Sequence, residues 1–172
     1  KEAYLQFPLT LDYNTILNML SRLELGDIDG TGTAIGNALG RSIAGLKDSE
    51  AKTRIVILIT AGDRRGGNIS PKQAAALAKD FGTRIFPILV GKEGVALKPA
   101  GRGLISGRMR FEEQEIPVNP ELLKEIATIT DGTYYRATDK KGLEEKLHGI
   151  LDRFDKTRVQ DTTNVEYEDL YH

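Results

Sequence analysis

The stretch RIVILIT, residues 54–60, decides the fold class. It is rich in β-branched residues, carries no charge after Arg54, and does not alternate between apolar and polar positions. A strand with one face in water alternates between apolar and polar residues. A strand of a parallel sheet that helices cover on both faces is instead a continuous apolar run. We therefore expect residues 54–60 to form a core strand of a mostly parallel sheet.

The segments after this strand continue an alternation of helix and strand. PKQAAALAKDFG (71–82) predicts a helix that begins after Ser70 and is closed by Gly82. RIFPILVG (84–91) predicts a second core strand. Because proline removes a ladder donor, Pro87 indicates that this strand is bulged or lies near an edge.

The same patterns extend over the rest of the chain. A short strand is predicted in KEAYLQFPLT (1–10), and Asp12 or Thr10 is expected to cap a helix with apolar positions between 16 and 23. Further elements are predicted as a helix around 35–46, a β-hairpin excursion in 92–118, a helix in 120–132, a strand in 132–138 and an amphipathic helix in 140–156. This order predicts an α/β fold, a Rossmann-like sandwich with helices on both faces of a mostly parallel sheet.

Composition narrows the possible functions. Lys and Arg number 24 against 25 Asp and Glu, and a net charge of -1 gives no field to attract nucleic acid. The absence of cysteine excludes disulfides and thiolate metal sites, and the 2 histidines do not suffice for a histidine zinc site. No apolar run is long enough to span a bilayer, so we expect a soluble domain.

The stretch GDIDGTGTAIGNALG, residues 26–40, allows three interpretations. DIDGT resembles the DxDGT phosphatase signature, with Asp27 as nucleophile and Asp29 as acid/base, but that chemistry needs an apolar strand before Asp27, and the preceding LNMLSRLELG has helical spacing. The glycines resemble a phosphate loop, yet no Lys follows them and no strand precedes them. Glycines that merely allow a tight loop and close helix packing explain the pattern better than a phosphate loop.

The third interpretation comes from a resemblance. TGTAIGNAL (31–39), followed by RIVILIT and AGD, resembles the von Willebrand factor type A domain. AYLQFPLTLDYNTILNML (3–20), ELLKEIATITDGTYYRAT (121–138) and EYEDLYH (166–172) are similar to its membrane-associated branch, the Bat aerotolerance proteins. The likeness covers nearly the whole chain.

The resemblance implies a divalent-cation site, the metal-ion-dependent adhesion site, which usually holds Mg²⁺. Its threonine corresponds to Thr33, but Ala61 occupies the usual aspartate position and the DxSxS motif is absent, leaving Asp63 as the nearest carboxylate. We expect Mg²⁺ to bind weakly or not at all, because this cation needs several oxygen ligands.

The resemblance also implies domain organisation and partners. We expect a partial domain over 1–156 that lacks the family's first strands, and an acidic tail over 157–172 leading to a membrane segment of a periplasmic, membrane-anchored protein. A non-enzymatic role in binding protein partners is expected, with candidate contacts at Arg64, Arg65, Arg108 and Arg110. The missing strands would leave residues 55–60 unpaired, which predicts self-association by edge pairing or by swapping of the N-terminal segment.

Overall fold

The secondary structure follows the predicted alternation. A computed structural model of the chain describes residues 3–6, 12, 14, 15, 18, 22, 33–61, 66–91, 95–102, 109–115 and 119–168, with the backbone alone in 95–102, 109–115 and 155–168. In chain order the elements are α1 (Ile35–Leu46), β1 (Arg54–Thr60), α2 (Pro71–Asp80), β2 (Thr83–Val90), β3 (Val95–Arg102), β4 (Met109–Glu115), α3 (Pro120–Ile129), β5 (Tyr135–Ala137) and α4 (Lys140–Glu168).

A parallel sheet in the order β1-β2-β5 lies at the centre of the described structure. β1 pairs with β2 from Arg54↔Thr83 to Thr60↔Leu89, and β2 pairs with β5 over its last residues. The predicted parallel core strand at 54–60 is confirmed. Its residues 54–58 are nevertheless only half-buried, because no described strand lies on the far side of β1.

Helices cover both faces of the sheet, as the sequence predicts. On one face α1, α2 and α3 pack on the sheet through an apolar core that includes Leu39, Ile43 and Ile126. On the other face α4 packs on the sheet through Ile150 and Phe154, and the rings of Phe86 and Phe154 meet edge to face with centroids 5.4 Å apart. The described residues therefore form a three-layer α/β sandwich.

The expected bulge at Pro87 is wrong, whereas a position near an edge agrees with the short strand β5, which lies beside β2 and does not pair at Pro87. β2 is the middle strand of the described sheet, and its register with β1 is unbroken. The N–H of Ile85 points away from β1, since it donates to Thr130 Oγ1 at 3.1 Å. Pro87 has the same orientation, and pairing with β5 begins only at Ile88. The proline ring therefore removes no donor from the β1–β2 ladder.

Other local predictions have mixed outcomes. β3 and β4 pair antiparallel, which confirms the β-hairpin in 92–118. Asp12 is confirmed as a cap: its Oδ1 accepts from the Thr15 N–H at 3.0 Å, and this bonding with Thr15 lowers the pKa of Asp12.

The predicted N-terminal strand is wrong for the described residues 3–6, which are irregular and lie beside no described strand. There Tyr4 is 60% exposed, so the aromatic and apolar content reflects surface residues rather than a buried strand.

Thr130 joins the end of α3 to the sheet. Its hydroxyl donates to the Ile126 carbonyl at 2.9 Å and accepts from the Ile85 N–H at 3.1 Å, in a position that is 2% exposed. Ile85 would otherwise have an unpaired buried N–H, because β5 does not reach that far along β2. The Thr130 hydroxyl therefore bonds the β2 backbone at Ile85, where β5 does not reach.

We expect Thr130→Val to lower the free energy of unfolding by about 1–3 kcal/mol, the usual cost of leaving a buried donor unpaired. Thr83 provides a matched control, since it is also buried but its Oγ1 has no hydrogen-bond partner among the described residues. Thr83→Val should be neutral or stabilising by about 1 kcal/mol, because it removes an unsatisfied hydroxyl. Urea denaturation of both variants measures the difference, and equal losses would contradict the bridging role of Thr130.

Candidate functional site

A cavity of about 490 Å³ opens where three helices begin. Helices that follow parallel strands start at the carboxyl edge of the sheet, where ligands of such folds bind. The cavity is bordered by the segment before α1, the loop between β1 and α2, and the start of α3. Its lining residues are Thr33, Ile35, Gly66, Gly67, Asn68, Ile69, Ser70, Pro71, Gln73, Asn119 and Leu122.

Asn37, in the first turn of α1, fixes the loop that forms one wall of the cavity. Its Oδ1 accepts hydrogen bonds from the N–H groups of Asn68 and Ile69, both at 3.0 Å. Gly67 lies directly against this side chain with φ of 100°, and a Cβ there would fall 2.8 Å from Asn37 Oδ1. The loop therefore has a defined conformation although most of its residues are exposed.

Two glycines of α1 let the same loop approach the helix closely. A Cβ at Gly36 would collide with the carbonyl oxygen of Ile69, and a Cβ at Gly40 would fall 2.9 Å from Ile69 Cδ1. The interpretation of the glycine-rich stretch as a device for close packing is confirmed at these two positions. Gly30 and Gly32 lie outside the described residues.

The starts of the other two helices are capped by side chains. Ser70 and Gln73 form a capping box at α2, and Asn119 Oδ1 accepts from the Leu122 N–H at 3.1 Å at α3. Ala34, at the start of α1, provides no side-chain cap. All of the residues named as lining the cavity are uncharged, so its polarity comes from amides, hydroxyls and the positive ends of the helix dipoles.

The predicted site residues are only partly described. Thr33 is half-buried and lines the cavity beside the loop into which β1 leads, and Ala61 is exposed at the end of β1. Arg110 belongs to β4, where its backbone pairs with Gly101. The remaining predicted residues lie outside the described ranges, namely Asp27, Asp29, Asp63, Arg64, Arg65 and Arg108. The proximity of Thr33 and Ala61 stays a prediction.

The described donors do not fit Mg²⁺. The oxygen donors around Thr33 are neutral, whereas Mg²⁺ in proteins is held by carboxylates together with waters. Within the part of the chain that the structure describes, no group of three or more His, Cys, Asp or Glu side chains lies close enough together to hold a metal ion.

Sequence reasoning missed the residues that shape the cavity. Asn37 reads as an ordinary polar position in a helix, and Asn119 as a residue before a proline. The available signals were an asparagine within the first turn of α1 and one just before Pro120, both positions where side chains meet free backbone amides. The partner of Asn37 is about thirty residues away in sequence, and spacing alone does not reveal such a pair.

We expect Asn37→Ala to release the loop at 66–70. Loss of the two hydrogen bonds should lower the free energy of unfolding by about 1–2 kcal/mol and raise the exchange rates of the Asn68 and Ile69 amides in hydrogen-exchange NMR. Asn37→Asp is the control, because it keeps an oxygen acceptor at the same position. Unchanged exchange in Asn37→Ala would show that the side chain does not anchor the loop.

The parallel sheet, the helices on both faces and the cavity at the strand ends define a Rossmann-like α/β domain. The sequence profile of the von Willebrand factor type A domain matches residues 1–149. The chain therefore belongs to the von Willebrand factor type A domain family.

Particular relatives agree with this assignment. A UPF0353 protein from Mycolicibacterium paratuberculosis is 29% identical over 156 residues, covering 86% of this chain and 44% of that protein. The crystal structure of the conserved hypothetical protein BatB from Bacteroides thetaiotaomicron is 24% identical with a TM-score of 0.72, covering 90% of this chain and 75% of that chain, and supports the fold. An aerotolerance-related membrane protein from Bacteroides fragilis, crystallised with multiple mutations to serines, is 25% identical with a TM-score of 0.65, over 85% of this chain and 71% of that chain.

The resemblance drawn from sequence is confirmed, and the similarity to the aerotolerance-related membrane protein is consistent with the Bat branch. The chain spans less than half the length of the curated relatives that it matches. Among the described residues, no helix has the combination of length and apolar content that is needed to cross a membrane.

Proposed function

We propose that the chain is a non-enzymatic interaction module that holds a protein partner at the carboxyl edge of its sheet. The cavity beside α1 carries this proposal, because its wall is a surface loop that Asn37 and Gly36 hold in one conformation. A preformed surface loses less conformational entropy when a partner binds. Arg64 and Arg65 belong in sequence to the same β1–α2 connection, and we propose that they contact the partner.

The excursion at 92–118 is a second proposed contact region, through Arg108 and Arg110. The hairpin of β3 and β4 forms a sheet of its own, separate from the parallel sheet. Segments that connect the elements of a core sheet often carry recognition residues. Bivalent contact through the hairpin and the cavity rim would fit one protein partner better than a small ligand.

Cross-linking from single cysteines tests the proposed surface, and the absence of native cysteine makes the labelling clean. Asn68→Cys carries a photoreactive maleimide at the cavity, and Lys52→Cys carries it at the exposed amino end of β1 as the control. In extracts of the source membranes, we expect a discrete protein adduct from position 68 that unlabelled chain competes away and that Arg64→Glu with Arg65→Glu abolishes. Identical adducts from both positions would reject this surface.

The non-enzymatic character is proposed because the described residues that line the cavity include no ionisable side chain that could act as nucleophile or base. Wild-type chain and Asp27→Asn should show the same background rate with p-nitrophenyl phosphate. A rate that falls in the Asp27→Asn variant would reject the module in favour of a phosphatase.

We also propose that Mg²⁺ binds weakly or not at all, because Thr33 has only neutral oxygen donors among its described neighbours in the cavity. Isothermal titration with Mg²⁺ and Mn²⁺ should give no binding tighter than about 1 mM, the weak end of the range for divalent-cation sites in proteins. Ala61→Asp, which restores the family's carboxylate, should strengthen binding. Micromolar binding by the unaltered chain would overturn this part of the proposal.

For the complete protein we propose attachment to the membrane with this domain on the periplasmic side and the segment 157–172 leading towards the anchor. A named relative of similar fold is an aerotolerance-related membrane protein, which supports the proposal. Protease protection in spheroplasts tests the side of the membrane, and a domain shielded in intact spheroplasts would contradict it.

Self-association of the chain through the edge of β1 completes the proposal. Among the described residues β1 has a neighbouring strand on one side only, and Ile59 is 49% exposed there. Uncovered apolar strands tend to pair with another strand. Sedimentation velocity should show oligomers that grow with concentration, whereas a monomer at all concentrations would reject self-association.

A further inference from the structure

The hairpin of β3 and β4 carries opposite charges at its two ends. At the end next to the connecting segment, Arg102 pairs with Met109 and Gly101 pairs with Arg110, and we call these four residues the hairpin tip. The pairs further from the connecting segment contain three glutamates and one lysine, namely Glu112, Glu113, Glu115 and Lys98. The tip is therefore cationic, whereas the end that joins the rest of the chain is mainly acidic.

The glutamates of the hairpin do not neutralise the tip. Glu112 lies directly opposite Lys98, a position in which opposite charges on neighbouring strands attract each other. Glu113 and Glu115 lie about 10 Å and about 17 Å from Arg110 along the strand. Both distances exceed the Debye length of about 8 Å at physiological ionic strength, beyond which exposed charges are largely screened from each other.

Cations lie on both faces of the tip. Directly opposite residues of antiparallel strands share a face, and consecutive residues of one strand alternate between faces. Arg102 therefore lies on the face of Met109, and Arg110 lies on the other face. In sequence, the connecting segment 103–108 adds Arg108 and contains no Asp or Glu. The positive charge thus belongs to the end of the hairpin as a whole rather than to one face.

The hairpin and the cavity belong to the same edge of the parallel sheet. β3 begins shortly after β2 ends at Val90, and β4 is followed by Asn119, which lines the cavity. A hairpin with strands of this length extends about 24 Å from its base to its tip. A partner that covers the cavity and extends along the hairpin for this distance meets the tip.

Resting on the proposed function, we infer that the hairpin tip binds an acidic segment of the protein partner. Arginine presents N–H donors in a fork that matches a carboxylate, so Arg102 and Arg110 suit a segment with several Asp or Glu residues. The net charge of the chain is -1, and the attraction therefore comes from the separation of charge along the hairpin.

The direction of α4 favours a protein over a membrane as the source of the anionic groups. α4 begins beside the carboxyl end of β5, where a Cβ at Gly142 would lie 3.9 Å from Ala137. Later in the helix Phe154 meets Phe86, which lies further towards the amino end of β2. The helix thus runs away from the edge that carries the hairpin. The proposed anchor after 157–172 therefore leaves on the side opposite the tip.

An acidic peptide tests the charge recognition directly. The probe is fluorescein-labelled octaglutamate, with octaglutamine as the neutral control, and binding is followed by fluorescence anisotropy at low ionic strength. We expect octaglutamate alone to bind. Arg102→Gln and Arg110→Gln should each weaken its binding about two- to fivefold, the effect of one exposed ion pair. Arg110→Lys, which keeps the charge, should retain most of the affinity.

Lys98→Gln is the matched control, because it removes the same charge from the other part of the same hairpin. Its affinity for octaglutamate should equal that of the wild-type chain. An equal loss in Lys98→Gln and Arg110→Gln would show that the tip is not the binding site, and a wild-type chain that does not bind octaglutamate would reject the inference outright.

Vesicles of phosphatidylglycerol separate a lipid source of anionic groups from a protein source. In co-sedimentation, we expect the wild-type chain to bind these vesicles no better than the double variant Arg102→Gln with Arg110→Gln. Vesicle binding that the double variant abolishes, without binding of octaglutamate, would overturn the inference in favour of a membrane surface.

Cross-linking from position 68 distinguishes this inference from the proposed function. Added octaglutamate and the double variant Arg102→Gln with Arg110→Gln should each reduce the partner adduct by at least about threefold. An adduct that neither of them changes would reject the acidic segment and leave the partner surface at the cavity intact. Octaglutamate binding through the tip without any adduct from position 68 would instead reject the proposed partner surface.

Discussion

Gly132→Ala should destabilise the protein by about 3–5 kcal/mol, at or above the upper end of the usual cost of overpacking, because the added atom would meet backbone rather than a flexible side chain. Gly132 follows α3 and lies against the backbone of β2. A Cβ there would collide with the carbonyl oxygen of Ile85 and fall 2.8 Å from its carbonyl carbon. Neither backbone can move freely, because the Gly132 N–H donates to Ala127 at 2.8 Å and Ile85 is held by Thr130. Thermal unfolding followed by circular dichroism should show a Tm lower by roughly 10 °C.

Gly149→Ala is the control for this prediction. Gly149 lies within α4, and apart from the backbone of that helix no described atom lies within 4 Å of a Cβ placed there. The substitution should be neutral or stabilising by about 1 kcal/mol, because alanine favours a helix more than glycine does. A Gly132→Ala variant as stable as Gly149→Ala would mean that the approach of α3 to β2 is looser than the structure shows.

The central elements of the fold could be predicted because their signals are local. RIVILIT and RIFPILVG have the composition of covered parallel strands, and Ser70 followed by Pro71 marks a helix start that the structure confirms with a capping box. The positive φ of Gly82, 62°, likewise agrees with its predicted place at the end of α2. Each of these features depends on neighbouring residues in sequence.

The features that were missed depend on contacts distant in sequence. Gly132 reads as a helix-ending glycine, but the left-handed residue after α3 is Asp131, with φ of 53°. Gly132 is instead required by its contact with Ile85. Pro87 is compatible with a central strand only because β5 begins to pair one residue later. Neither relation is visible in the spacing of residues along the chain.

The candidate site likewise has one feature that local sequence predicted and one that depends on contacts distant in sequence. The stretch around Thr33 could be assigned to a helix start at the carboxyl edge of the sheet, because its pattern resembles the family's. The cavity itself depends on Asn37 bonding a loop that follows β1. The resemblance implied a degenerate metal site with weak or no Mg²⁺ binding, and the described residues that line the cavity offer neutral donors.

Gly36→Ala should have the second largest effect, a loss of about 3 kcal/mol in the free energy of unfolding. The added methyl group would collide with the Ile69 carbonyl oxygen, fall 2.7 Å from its carbonyl carbon and lie 3.0 Å from Pro71 N. To avoid this collision, the loop at 66–70 must move away from α1. This movement breaks the hydrogen bonds of the loop to Asn37 and disturbs the start of α2. Urea denaturation measures the loss of stability, and cross-linking from position 68 measures the loss of the proposed partner contact.

Gly45→Ala separates this packing effect from helix propensity, because both glycines belong to α1. Apart from the backbone of α1, a Cβ at Gly45 would have no described atom within 4 Å, so alanine there should be neutral or stabilising by about 1 kcal/mol. Gly36→Ala gains the same propensity, and its net loss therefore understates the clash by about that amount. If both variants were equally stable, the loop would have to be free of α1, and the cavity beside Thr33 would not be a fixed surface to which a partner binds.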